Sequence, residues 1–167
     1  MIKLYRFSDS TKEYWETWDN GDGTYTIHWG ELGTRGSAKI VQDSFLVKAE
    51  GLIQKEIKRM KKQGYTEIDF EDHRTLLIEY AIEGMGTTKD LDKRHRLEDR
   101  MNETLGRNGL GYCDGGSIGS GTMEVCNFVV DFDLAKKQLK TLLKRRSFLI
   151  IQEYSMKMHN TTFIVPC

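Results

Sequence analysis

The chain has 167 residues, 38% hydrophobic and 30% charged, with a single proline, Pro166; this excludes a disordered or fibrous chain and leaves one ordinary globular domain or two small ones. Lys and Arg number 25, as do Asp and Glu, and the balance holds on either side of Phe70, with 11 of each sign before it and 14 after. A net charge of zero excludes the broad basic surface of a dedicated nucleic-acid binder and confines any such surface to a local patch.

Residues 2–7 alternate polar and apolar with period two, as a half-buried strand does. Residues 12–18 read as a second strand. Asp19-Asn-Gly-Asp-Gly23 then supplies Asn-Gly and Asp-Gly, strong hairpin signals, so residues 24–30 form a third strand that pairs back on the second. Residues 37–42 suit a fourth. Over residues 44–62, Phe45, Leu46, Ala49, Leu52, Ile53, Ile57 and Met60 recur at spacings of three and four, which predicts an amphipathic helix. Asp43 or Ser44 is placed to cap it and Gly64 to stop it. Its polar face carries Lys48, Lys55, Lys58, Arg59, Lys61 and Lys62 against Glu50 and Glu56, a local excess of four positive charges.

The polar stretch 67–74 reads as a linker. Beyond it come a strand over 75–82, a charged helix over 89–105, and a hairpin whose arms, Tyr112-Cys113 and 123–130, bracket a glycine-rich turn. A helix capped by Asp133 and running to Arg146 follows, then a strand over 148–154 and a last edge over 163–165. The second half therefore orders as β-α-β-β-α-β, the split arrangement of ferredoxin-like folds. The predicted class is α+β: an antiparallel sheet with one long helix over residues 1–68, and a ferredoxin-like domain over 75–167.

The most specific signal is Tyr25-Thr-Ile-His-Trp-Gly-Glu-Leu-Gly-Thr-Arg-Gly36. Together with Phe45, the apolar helix and Gly64-Tyr65, it resembles the WGR domain family over roughly residues 2–68. In that family a strand delivers Trp-Gly-Arg, then an apolar residue, Gly, two variable residues and Gly; Trp29, Gly30, Leu32, Gly33 and Gly36 match. The family occurs in DNA-break-responsive poly(ADP-ribose) polymerases and in bacterial proteins. The resemblance implies that Trp29 stacks on a nucleotide while Arg35, Lys39 and the helix residues Lys55, Lys58, Arg59 and Lys62 meet phosphates. Glu31 stands where the family has arginine, and a carboxylate beside phosphate repels it by about 1 kcal/mol at contact in bulk water.

Other features carry less chemistry. His28, beside Trp29, is expected to face away from it as an ordinary strand residue. His73, His95 and His159 lack paired ligand spacing, so no metal or other cofactor is expected. The glycine-rich run Gly109–Gly121 lacks a P-loop lysine and leads into a strand, so it is expected to be a flexible hairpin connection. Cys113 and Cys126 are placed as buried thiols facing each other across it. Ser117, Ser120, Asp131, Asp133 and the Glu71-Asp72-His73 run yield no acid–base pair, so no enzymatic activity is assigned. No apolar run approaches the roughly 20 residues of a membrane span. No signal region follows Met1, and Cys113, Cys126 and Cys167 form no CxxC, which together imply a cytoplasmic protein with reduced thiols. The expected function is non-catalytic binding, with two partners left open: a nucleic acid, or a protein met as a bacterial immunity protein or adaptor would meet it.

Overall fold

The computed structural model describes residues 1–44, 47–143 and 151–154. The chain divides into two compact units, one from Met1 to Ile68 and one from Asp69 onward. Each has its own antiparallel sheet, so the class is α+β.

In the first unit, β1 (Ile2–Phe7), β2 (Lys12–Asp19), β3 (Thr24–Glu31) and β4 (Ser37–Gln42) follow one another as a meander, in the order β1-β2-β3-β4. The Asn20–Gly23 turn, with Gly21 and Gly23 at positive φ, sets the register Asp19↔Tyr25, Trp15↔Trp29 and Glu16↔His28. Alternation then sorts the side chains onto two faces. One face bears Leu4, Trp15 and Ile27, and helix α1 (Ala49–Lys62) covers it with Ile53, Ile57 and Met60; Tyr65 completes this core. The helix begins at Ala49, later than the apolar spacing suggests. Ser44 bonds Val47 through backbone and hydroxyl, closing a local turn first, and Asp43 Oδ1 then accepts from Ala49 N at 2.8 Å. Such side-chain bonds compete with helical ones. Phe45 and Leu46 lie outside the described residues. The far end closes as expected, with Gly64 at φ +87° and Tyr65 N donating to Met60 O, a Schellman stop.

The second unit runs β5 (Arg74–Ala81), α2 (Thr88–Arg107), β6 (Gly111–Gly119), β7 (Thr122–Val129), α3 (Phe132–Leu143) and β8 (Ile151–Tyr154). The sheet order is β6-β7-β5-β8, every pair antiparallel. Helix α2 lies on β6 and β7, α3 on β5, and the two helices touch each other. Leu76, Ile78, Met123, Val125, Leu97, Met101, Leu105 and Leu139 are buried here. The expected helix end at 144–146, the strand start at 148–150 and the edge at 163–165 fall outside the described residues.

Three expectations for this unit are corrected. The glycine-rich run is not a loop: residues 111–119 are a strand, and the turn is only Ser120-Gly121, with φ +52° and +88°. A two-residue turn with both positions left-handed matches strand twist, and the low side-chain volume suits the helix above. A Cβ on Gly116 would meet Glu98 Oε1 at 3.0 Å and Arg94 Cδ at 3.2 Å. Second, the register shift between Cys113 and Gly115 sets Cys113 opposite Asn127 and Gly115 opposite Cys126. The two cysteines therefore do not face each other, and Cys126 is disulfide-bonded while Cys113 is free. Third, Asp131 rather than Asp133 caps α3, its Oδ1 accepting from Leu134 N at 2.9 Å.

Candidate functional site

Trp29 lies near the end of β3, in a cross-strand row Leu4–Trp15–Trp29–Ser37. Leu4 and Trp15 are buried, whereas Trp29 is 38% exposed. The helix-covered face thus ends at this ring. On the neighbouring edge strand Lys39 shares the same face by alternation, and its Nζ lies 5.9 Å from the ring centroid, within reach of a cation–π contact.

The segment after Trp29 folds back over the opposite face, and glycine is what permits it. A Cβ on Gly30 would fall 2.7 Å from Gly36 Cα, and one on Gly36 would collide with Trp29 O and Tyr14 Oη. Gly36 also sits at φ +60°, where other residues are strained. Leu32 is buried and donates its N–H to Lys12 O at 2.7 Å. The spacing of Gly30, Leu32 and Gly36 is therefore the spacing of a loop that packs on its own strand.

His28 anchors this loop. It faces away from Trp29, as alternation requires, and it is buried. Its Nδ1 lies 2.7 Å from Glu16 Oε1, and its Nε2 lies 2.9 Å from Arg35 O and 3.0 Å from Tyr14 Oη. Glu16, also buried, holds Lys3 Nζ at 3.2 Å with its other oxygen. Burial, followed by the charge of Glu16, pushes the Tyr14 phenol up to about 12, so the phenol remains a neutral donor, reaching Thr34 O at 3.3 Å. Every group in this network has a partner inside the unit, and its chemistry is to fix the Thr34–Gly36 backbone beside Trp29. The signal for it was present: the 19–25 turn register pairs Glu16 with His28.

The other expected site residues divide into two groups. Arg35 is exposed on the loop next to the ring's strand. Lys55, Lys58, Arg59 and Lys62 form an exposed stripe on α1 opposite buried Ile53, Ile57 and Met60, so they point away from the sheet that carries Trp29. Arg59 is also ion-paired with Glu56 at 2.6 Å, and the neighbouring Lys61 with Glu67 at 2.7 Å. Glu31 is exposed at the end of β3, opposite Glu13 in register. Arg6 offsets the like charges by binding Glu13 through Nε at 2.8 Å and Nη2 at 2.5 Å.

No helix among the described residues is long and apolar enough to cross a membrane. Comparison of the chain with protein-family models, curated proteins and solved structures found no match.

Proposed function

We propose that the first unit is a non-catalytic binding module that stacks a nucleotide of a nucleic-acid strand on Trp29. The observation that carries this reading is the position of Trp29: a large, partly exposed aromatic plane in the cross-strand row beyond buried Leu4 and Trp15, with the Lys39 ammonium over the ring. Aromatic stacking is tolerant of sequence and suits a chain with no broad basic surface. The resemblance of residues 25–36 to the WGR pattern supports the same reading. A protein partner is the second reading, supported by the charge of Glu31 and by Ile40, 68% exposed on the edge strand β4.

The experiment is fluorescence anisotropy with labelled duplex and single-stranded DNA across a salt series. Lys39 is the cation over the ring and Arg35 is exposed on the loop that follows its strand. Two phosphate contacts give a slope of log affinity against log salt of about −2 on duplex. Recruitment of the α1 stripe as well would steepen it to about −5. Trp29→Ala costs about 1–3 kcal/mol, with circular dichroism to establish that the sheet survives. Glu31→Arg tightens binding by replacing repulsion with a phosphate partner. Absence of binding at low salt by both the native chain and Glu31→Arg sinks the nucleic-acid reading in favour of the protein partner.

A further inference from the structure

A second aromatic surface lies in the other unit. The Phe70–Asp72 turn, in a stretch whose polarity suggests a plain linker, folds as a 3-10 turn that sets Phe70 edge-on against Phe128, ring centroids 4.9 Å apart and planes at 67°. Tyr112 meets Phe128 at 5.7 Å and His73 at 6.4 Å, and His73 stacks on Phe70 at 6.2 Å with the planes only 30° apart. The four rings close a cycle. Its base is Phe128, buried on β7; its top is Phe70, which is 52% exposed although an aromatic residue gains most by burial. His73 Nδ1 lies 3.1 Å from Asp69 O, which holds the turn in shape.

Among the described residues, the charges that flank Phe70 and Tyr112 in the chain are carboxylates. Asp69, Glu71 and Asp72 flank Phe70 in the turn, and Asp114 follows Tyr112 on β6, all four exposed. Asp114 is near enough that its charge adds to burial in raising the Tyr112 phenol. Arg74 belongs to the other face of β5, because alternation sets Thr75, not Arg74, in the row Tyr112–Phe128–Thr75. Carboxylates ringing an exposed aromatic face repel phosphate and attract a cation, and the negative face of the ring adds to that attraction. Among biological cations the guanidinium fits best, since it stacks flat on an aromatic ring while its fork bonds a carboxylate.

We propose that Phe70, with His73 and Tyr112 and the carboxylates of Asp69, Glu71, Asp72 and Asp114, is a docking surface for arginine side chains of a basic segment in a partner protein. It is separate from the Trp29 surface and of opposite electrostatic character.

The test is calorimetric titration of the full chain with an Arg-Gly repeat peptide, a matched Lys-Gly peptide and oligothymidylate. The arginine peptide binds more tightly than the lysine peptide, and added salt weakens it. Phe70→Ala lowers its affinity about three- to thirtyfold, the range set by exposed to desolvated cation–π contacts. Phe70→Leu, which keeps apolar contact with Phe128 but removes the ring face, shows the same loss, and Phe70→Tyr restores binding. Combined Asp72→Asn and Asp114→Asn weakens binding and flattens its salt dependence. Trp29→Ala leaves the peptide affinity unchanged, so failure of one surface is distinguishable from failure of the other. Failure of the arginine peptide to bind, unchanged affinity in Phe70→Leu, or tighter Phe70-dependent binding of oligothymidylate overturns the proposal.

Discussion

At the scale of single residues, the sequence pattern and the geometry meet most closely around Trp29. The spacing of Gly30, Leu32 and Gly36 is readable without a structure, but the collision that makes glycine necessary at position 36 involves Tyr14, 22 residues earlier in the chain. The cysteines illustrate the converse failure. Their spacing about an expected turn centre near Gly119 suggests that Cys113 and Cys126 oppose each other. The turn falls at Ser120-Gly121 instead, so Gly115 opposes Cys126, and the bulge at Asp114 then sets Cys113 opposite Asn127. Cys113 carries a testable consequence. Its thiol is pushed up to about 11, chiefly by burial, with the nearby carboxylates of Glu98, Asp114 and Asp99 acting in the same direction. At pH 8 the folded chain therefore holds about a thousandth of it as thiolate, against roughly a quarter for an unfolded cysteine near 8.5. Alkylation of folded Cys113 should be over a hundredfold slower than in urea and should rise about tenfold per pH unit up to about pH 10. The sign for stability follows: the buried neutral thiol is an advantage to the fold below about 8.5 that is lost as pH rises to about 11. Cys126 should label only after reduction. Equal rates with and without urea, or labelling of Cys126 without reductant, would show this account to be wrong.

At the scale of elements, the sequence pattern located all four strands and the helix of the first unit and both described α-helices of the second. The helices were legible because each has one wet and one dry face, whereas β2, buried over Tyr14–Thr17, and β4, exposed except at Val41, show no such alternation. The glycine-rich strand β6 was illegible for a physical reason. Strand readings rest on β-branched and aromatic side chains, and residues 114–117 have none; the partner strand β7 and the helix above supply the order instead. Arg94 Nη1 donates to Gly116 O at 2.8 Å, and Cys113 N donates to Asn102 Oδ1 at 2.9 Å, so polar residues of α2 bond the backbone of this edge strand, a recurrent protection of exposed edges. The start of α2 was legible in principle. Thr87 and Asp90 form a reciprocal capping box, with Asp90 N donating to Thr87 Oγ1 at 3.3 Å and Thr87 N to Asp90 Oδ2 at 2.8 Å. Thr87→Ala should lower unfolding stability by about 1 kcal/mol near neutral pH. The bonds from Thr87 hold the Asp90 carboxyl below its usual value, so its contribution is present above the ordinary carboxylate range and fades as pH falls through the lowered one. The native chain and Thr87→Ala should therefore converge in stability on acidification. A difference independent of pH would assign the loss to the threonine alone.

At the scale of the whole molecule, the two surfaces belong to two units with separate interiors, and the boundary between them has a definite chemical position. The core of the first unit is assembled from residues between Ile2 and Tyr65 alone. Its last contribution is not the helix but the segment behind it. Tyr65 is buried against the sheet under the Arg6 guanidinium, 4.9 Å from the ring, and Thr66 exchanges two backbone bonds with Tyr5, of 2.7 and 2.8 Å. Those bonds pair part of the outer edge of β1, which otherwise ends the sheet. A fragment of residues 1–68 should thus fold cooperatively by itself, with the circular dichroism of a mixed sheet and helix and a single urea transition. A fragment ending at Gly64 keeps all four strands and α1, yet it loses a buried aromatic side chain, worth about 3–5 kcal/mol when truncated in a core. Since a single core of this size supplies only about 3–5 kcal/mol of net stability, the shorter fragment should be largely unfolded in water. Equal stability of the two fragments would mean that Tyr65 and Thr66 merely rest on a unit already complete. An unfolded 1–68 would mean that the first unit depends on residues beyond Ile68, and that Trp29 must be tested only within the intact chain.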